Sequence, residues 1–523
     1  TLDQNMALVK FVDDGGTVIG TAGTCELDGL FGVESLGPIT EGYIKPPKSS
    51  NPITGAITRE VHVFGGSRVR ADYGNSLSFL EVNDGSVFDG VIENRHGRGR
   101  AILFAFDLVT TIAHLQMGHP LVPVPPREAI NASAGTVLDK DRDRDRIEIK
   151  DHDDLYYPTT KRGPDGLVEY NQELYLHPMA DDIKGMLLRA IFHAHAKAQK
   201  ELPMLWYWPR GKQSIAHMSH DSDGQRVSQA WSLYHILDEL GVQTTWCTMP
   251  VDGWTREFFD TLKNFGHEIA LHYAFGRSPS RTDHRWSQTD FNWQVDWLCY
   301  MAQVPHITSN KNHGLGMKGR LEFYRWCEAK GIQVDQSHGD FGFTFGTSHP
   351  FFPMDDGKPQ GSYIDVLALP FLTQDAAVTG PIAFINPLAD KCHEAYGVAH
   401  YLYHPSHSED PGNERAIRET VAYTRSLDME WWKSDDIGVW ERARRDLTLT
   451  KTSQNSAYEI KSGKPLKDAT VLFLETNGAT NGQVVVDDEP LDTITVERYG
   501  HRFKQVISNL DGDHEVLSSK ETN

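Results

Sequence analysis

Between about residues 155 and 440 the chain alternates amphipathic stretches with short apolar runs, and three of the amphipathic stretches stop at a glycine. Ala230, Leu233, Leu237 and Leu240 mark one helical face, closed by Gly241 ahead of Val242-Gln243-Thr244-Thr245-Trp246. Phe258, Phe259, Leu262 and Phe265 mark another, closed by Gly266. Leu321, Tyr324 and Arg325 begin a third, closed by Gly331 ahead of Ile332-Gln333-Val334. Ile183, Leu187, Ala190, Ile191 and Ala194 mark an earlier helix. Glycine after a helix accepts the left-handed conformation that ends it. Short apolar runs between such helices fit strands buried on both faces. This alternation points to a barrel-like parallel α/β sheet with helices outside it.

Three apolar segments of this region end on histidine or aspartate. They are Ile215-Ala216-His217-Met218-Ser219-His220-Asp221-Ser222-Asp223-Gly224, Gly266-His267-Glu268-Ile269-Ala270-Leu271-His272 and Val398-Ala399-His400-Tyr401-Leu402-Tyr403-His404-Pro405. In barrel-like α/β folds, strand ends are where catalytic groups collect. Side chains alternate along a strand, so Asp221 and Asp223 face one side if the strand runs through both. Two such carboxylates divide the labour of metal-assisted hydrolysis: one binds a metal, the other takes a proton from water. Taken singly, Asp-Ser-Asp-Gly is good turn or helix-cap chemistry. A lone His272 or His404 at a strand end is more often merely hydrogen-bonded. Three companion segments tip the balance toward function. His407 reads as a second-layer or solvent-facing group.

The flanks differ. Residues 1–125 read as an α/β unit: Leu8, Val9, Phe11 and Val12 give a helical stripe, Gly15-Gly16 ends it, and Thr17-Val18-Ile19-Gly20 starts a strand. Cys25, in Gly23-Thr24-Cys25-Glu26, reads as a packed thiol and not as a nucleophile. Residues 126–154 contain alternating Asp, Lys and Arg from Asp139 to Arg146, which suits a charged linker or exposed edge. Residues 155–444 hold the barrel. Residues 445–523 contain Ala469-Thr470-Val471-Leu472-Phe473-Leu474, Gln483-Val484-Val485-Val486 and Thr493-Ile494-Thr495-Val496, strands of a small β-sandwich.

With 523 residues the chain exceeds one core. Its net charge of -21 argues against nucleic acid and anionic membrane as partners. No apolar run reaches the ~20 residues that span a bilayer. No signal peptide is visible at the start. The cysteines Cys25, Cys247, Cys299, Cys327 and Cys392 form no Cys-x-x-Cys, so buried free thiols are expected.

Ser219-His220-Asp221-Ser222-Asp223-Gly224 resembles the first motif of the polysaccharide deacetylase family, the NodB-homology carbohydrate esterases. Residues 266–272 resemble its second motif, and Tyr403-His404-Pro405 its last. Asn310-Lys311-Asn312-His313-Gly314-Leu315 stands at the family's arginine-proline motif. Gly342-Phe343-Thr344-Phe345-Gly346-Thr347 and Pro350-Phe351-Phe352-Pro353 resemble a branch whose first motif is His-Asp-x-Asp. The likeness spans about 205–440. Arg98-Gly99-Arg100, followed by Ala101-Ile102-Leu103-Phe104-Ala105-Phe106, loosely resembles the later part of a glutamine-amidotransferase-like domain, and a trimmed form of that domain is expected.

The resemblance implies a distorted (β/α) barrel, a divalent metal (usually zinc) and removal of N- or O-acetyl groups from a carbohydrate. It implies a secreted or cell-envelope setting. It makes Asp223 and His272 metal ligands, Asp221 the base and His404 the acid. The family's next second-motif histidine falls here on Gly276, so a third ligand comes from His313, preferred for its motif position, or from His284. Lys311 stands where an arginine orients the base; it keeps the charge without the planar fork. Asp335, His338 and Asp340, at a strand-to-loop junction, are expected to touch substrate. Trp206, Trp208, Tyr273, Trp286, Phe341 and Phe343 offer faces for a sugar, although core packing explains most of them. Two alternatives follow from the departures: a degenerate barrel that binds glycan without cleaving it, and an amidase for a small non-sugar C–N bond.

Overall fold

Gly241 and Gly331 take left-handed φ values of 61° and 83°, ending the helices Val227–Leu240 (α1) and Glu322–Lys330 (α4). Between them, Thr255 caps Arg256–Asn264 (α2) by accepting the Phe258 N–H, and Ser287 caps Gln288–Ala302 (α3) through Asp290 N–H. The computed structural model describes residues 1–117, 135–139, 144–148, 161–162, 168–169, 176–223, 226–250, 253–274, 286–317, 321–339, 342–343, 345–355, 361–378, 382–452, 457–476, 483–486, 489–510 and 512–520. Contacts divide the chain into two units: Thr1–His114 with Met179–Gly211 and Ala443–Asn523, and Leu115–Pro178 with Lys212–Arg442.

The second unit carries the parallel sheet. Ile215–Asp221 (β1), Thr245–Thr248 (β2), Glu268–Tyr273 (β3), Ser309–Asn312 (β4) and Val334–Asp335 (β5) pair in sequence order, all parallel. On the other side of β1 lies Val398–Leu402 (β8), also parallel. The sheet closes through one segment that changes partner. Leu367–Ala368 (β6) pairs with β5, and Thr373–Gln374 (β7) pairs with β8. Residues 369–372 between them reach at most about 14 Å. They are extended and bonded on both sides: Leu369 N–H donates to Asp335, Phe371 N–H to His338 and Leu372 N–H to His400. The change of partner falls between Phe371 and Leu372, and Pro370 just before it has no N–H to give. The sheet is therefore curled round until its edges share a strand. Ile385–Ala395 (α5) leads into β8, and Pro411–Ser426 (α6), capped by Asp410, follows it.

The first unit is mixed. A six-stranded sheet contains Thr17–Thr21 parallel to Gly99–Phe104, with antiparallel neighbours beyond. Ile102, Leu103 and Phe104 are fully buried. The expected helix is present as Leu2–Asp13, but its stripe is not a core face: only Val12 is buried, while Leu8 and Phe11 are exposed. Helix Met179–Lys197 sets His193 Nε2 3.0 Å from Glu93, which Arg100 also contacts at 2.8 Å. The same helix packs Phe192 edge-on against Phe503. The C-terminal strands form two antiparallel sheets. One takes Pro203–Leu205 as a partner for Leu466–Leu474; the other contains Thr448–Lys451 and Asp513–Lys520.

All five cysteines are free. Cys247, Cys327 and Cys392 are buried as expected, but Cys25 is exposed, in a turn where Ala22, Cys25 and Glu26 all have positive φ. The packed thiol expected there is corrected: the turn holds it at the surface. Of the charged run, Gly135–Asp139 and Arg144–Glu148 pair as a hairpin, and residues 140–143 lie outside the described residues.

Candidate active site

Asp221 ends β1, and the chain then turns. Ser222 N–H donates to the Cys247 carbonyl at 3.0 Å, and Ser222 Oγ accepts the Met249 N–H at 3.1 Å. These bonds pin the turn to the end of β2. Asp223 follows with φ 48°, a left-handed conformation that aspartate tolerates better than most residues. The expectation that strand alternation puts Asp221 and Asp223 on one face is corrected. The strand has ended, and the turn brings Asp223 back to the mouth.

Three imidazoles meet the Asp223 carboxylate. His272 Nε2, near the end of β3, lies 2.8 Å from Oδ1; His404 Nε2, two residues beyond β8, lies 3.2 Å from Oδ2; His313 Nε2, just after β4, lies 3.7 Å from Oδ1. Asp221 sits beside them, with Oδ1 3.9 Å from His272 Nδ1 and 3.7 Å from Lys311 Nζ. That oxygen is buried and, among the described residues, has no hydrogen-bond partner.

The electrostatics are tightly constrained. His272 Nδ1 lies 3.1 Å from the Lys311 carbonyl, which can only accept, so Nδ1 must carry a proton. Its Nε2 then faces a carboxylate at 2.8 Å, which requires a second proton or a cation in between. His404 is placed likewise, with Nδ1 2.5 Å from Asp375 Oδ2 and Nε2 toward Asp223. Burial opposes charge on His272, but Asp221 and the Asp223 contact lift its pKa above the usual value. Burial also opposes charge on His404, and Asp375 and Asp223 raise its pKa well above the usual value. Burial pushes Asp223 up, yet the bonds from His272 and His404 pull it far below the usual carboxylate range.

A carboxylate with convergent imidazoles, one of them with its outer nitrogen fixed by a backbone carbonyl, is a donor set that suits a divalent cation. The orphaned Asp221 oxygen beside it fits the same chemistry. The spacing is closed, however: His272 and Asp223 touch each other. Among the described residues, no group of three or more His, Cys, Asp or Glu is disposed to hold an ion as it stands.

The fold thus gathers Asp221, Asp223, His272, Lys311, His313 and His404 at one end of the parallel strands. Asp335 ends the next strand, β5, and His338 follows it. Asp335 is fully buried, accepting bonds from Asn310 and Ser337, and burial pushes its pKa up to about 6. His338 is sealed against the Tyr324 hydroxyl at 2.6 Å and against Phe345, with burial holding its pKa down to about 3. Both are buried, with protein groups as their hydrogen-bond partners. Asp340, His284, Gly276 and Phe341 lie outside the described residues. His407 has its ring 6.3 Å from that of His404. Tyr273 and Trp286 pack with Phe291 and Phe323, and Trp206 and Trp208 are fully buried in the first unit, so packing accounts for these aromatics.

Asp375 was not singled out by sequence reasoning. It accepts the backbone N–H of His404 at 2.7 Å as well as the ring Nδ1–H. A signal existed: Phe371-Leu372-Thr373-Gln374-Asp375 is another short segment with an apolar start that ends on a carboxylate.

No protein-family model and no curated protein matches the chain. The chain is similar to solved structures of polysaccharide deacetylases. A putative polysaccharide deacetylase from Mycobacterium smegmatis is 18% identical over 47% of this chain and 97% of that one, with a TM-score of 0.36. A probable polysaccharide deacetylase from Pseudomonas aeruginosa is 14% identical over 47% of this chain and 97% of that one, also at 0.36. Agd3, described as a novel carbohydrate deacetylase, is 9% identical over 99% of this chain and 88% of that one, again at 0.36. Likenesses at this level assign neither fold nor activity to the chain. Among the described residues, no helix is long and apolar enough to cross a membrane.

Proposed function

We propose that the chain is a metal-dependent hydrolase that removes an acetyl group, N- or O-linked, from a carbohydrate. The observation that carries the reading is the meeting of Asp223 with His272, His313 and His404 beside a buried, unpartnered Asp221 oxygen. The carbohydrate rests on the motif resemblance of the strand ends, with which the names of the similar solved structures agree.

Asp223, His272 and His313 would hold the cation, with zinc as the expected ion. Such an ion supplies Lewis acidity, polarising a carbonyl and making water a better acid. Asp221 accepts the proton of the attacking water on its free Oδ1, and the Lys311 ammonium 3.7 Å away balances its charge. His404 carries a proton on Nε2 and delivers it to the departing amine or alkoxide, while Asp375 holds Nδ1 and fixes the plane of the ring. The first unit is read as accessory, with its C-terminal sheets forming a β-sandwich.

A second reading, a glycan-binding chain that no longer cleaves, is favoured by the closed contact between His272 and Asp223. Protein purified without chelator separates the two. The hydrolase reading expects about one metal ion per chain by elemental analysis, acetate release from an acetylated glycan, and loss of that release in Asp221→Asn. Glycan binding with neither metal nor acetate would establish the second reading instead.

A further inference from the structure

We infer that Ser219 and His400 are positioning residues, a relay inside the closed barrel that holds the Lys311 ammonium against Asp221; the inference rests on the hydrolase reading. Neither residue reaches the mouth. Ser219 lies in β1 two residues before Asp221, His400 lies in the middle of β8, and both are fully buried.

The direction of every bond in the relay follows from what each group can do. His400 Nδ1 lies 3.1 Å from the Pro370 carbonyl, which only accepts, so Nδ1 carries the proton. A neutral imidazole then has a bare lone pair on Nε2, and burial keeps this ring neutral. Ser219 Oγ, 2.9 Å from that Nε2, must donate its hydrogen to it. The lone pairs of Ser219 are left to accept, and Lys311 Nζ donates to them at 2.9 Å. The hydroxyl is thereby locked in one orientation by a residue on the neighbouring strand β8. The ammonium is fixed from a second direction by the face of Phe371, 4.3 Å from the ring centre.

A barrel interior built for packing alone has no use for an ammonium, because burying a charge is costly unless it is paired. Among the described residues, the carboxylate within ion-pair distance of Nζ is Asp221, at 3.7 Å. His217 packs against His400 with ring centres 4.3 Å apart and tilted, and is itself bonded to Gln336, which restrains the His400 ring. Asp221 can serve as a base only in a fixed position, and a lysine lacks the planar fork that fixes an arginine by itself. The serine and histidine supply the constraint that the lysine lacks.

The test uses the full chain with four variants, and acetate release and thermal melting are measured in parallel. Ser219→Ala removes the acceptor, and His400→Leu removes the lone pair that orients it. Each is expected to lower kcat by about tenfold with KM nearly unchanged, since ground-state binding is not touched. The double variant is expected to lose no more than either single one, because the groups act as a unit. His400→Gln places an amide oxygen where Nε2 stood and is expected to restore most of the rate. Leucine suits a buried site better than glutamine, so a purely structural role would rank the two His400 variants the other way. Wild-type kcat in Ser219→Ala, or His400→Leu as active as His400→Gln, overturns the relay while the hydrolase reading stands. If the wild type releases no acetate, the hydrolase reading falls, and the 15N spectrum of His400, assigned by difference against His400→Gln, still decides the relay. A neutral ring protonated on Nδ1 supports it, and one protonated on Nε2 overturns it.

Discussion

The histidine held between two carboxylates is where single residues bear most on rate. Asp375 gives one oxygen to the backbone N–H of His404 and the other to its ring, so it sets both the position and the protonated face of that imidazole. Asp375→Asn keeps the shape but removes the charge and offers an amide that can turn its donors toward the ring. Its kcat is expected to fall by about a hundredfold with KM little changed, read from steady-state acetate release. His404→Asn is expected to lose at least as much, and the double variant no more than His404→Asn, since Asp375 acts only through that ring. Asp221, His272 and His404 were legible because each stands at the end of a short, mostly apolar strand, and burial at a strand end leaves a polar side chain one direction to point. Asp223 was found for a reason that does not hold: a left-handed turn, and not strand alternation, returns it to the mouth. Asp375 was missed despite the short strand before it, because Pro370 interrupts the longer apolar run and nothing local ties it to a histidine 29 residues further on.

The elements around the site are fixed from the opposite end of the strands. Glu268, the first residue of β3, accepts from Thr245, Ser434 and the Asp435 N–H, tying the start of helix Ser434–Asp446 to the floor of the sheet. Sequence reading took Gly266-His267-Glu268 as support for a catalytic histidine, but the glutamate belongs to this floor. Burial, reinforced by Asp435, raises its pKa from 4.5 to about 7. The folded state therefore binds the Glu268 proton more tightly than the unfolded chain does. The stability this contributes is fully present below pH 4.5 and is lost as the pH rises through about 7. Glu268→Gln is expected to cancel that component. Thermal melts of the variant and the wild type across pH 4–8 should diverge in slope over the window from 4.5 to about 7, and parallel curves would contradict it. Helices ended by glycine, and long buried strands, were readable from spacing. The closing segment was not, because two-residue ladders on either side of a proline carry too little pattern.

At the scale of the whole chain, sequence order and spatial grouping part company. The sequence presents the tail after residue 444 as a self-contained β unit, with its strands at 469–474 and 483–486 readable from their apolar runs. Yet Leu466–Leu474 pairs with Pro203–Leu205, which precedes β1, and Phe503 packs on Phe192 of helix Met179–Lys197. Such pairings are illegible in one dimension, since a three-residue strand has no periodicity and its partner lies more than 250 residues away. A chain cut after Arg442 keeps Asp221, Asp223, His272, Lys311, His313, Asp375 and His404. It also strips the edge from Pro203–Leu205 and bares one face of helix Met179–Lys197, leaving unpaired backbone and apolar surface that favour association. The truncated chain is therefore expected to be recovered mostly as aggregate, judged by size-exclusion chromatography of the soluble fraction, although no candidate catalytic residue has been removed. A soluble, active product would mean that those pairings contribute little, and that the tail is as separable as its sequence suggests.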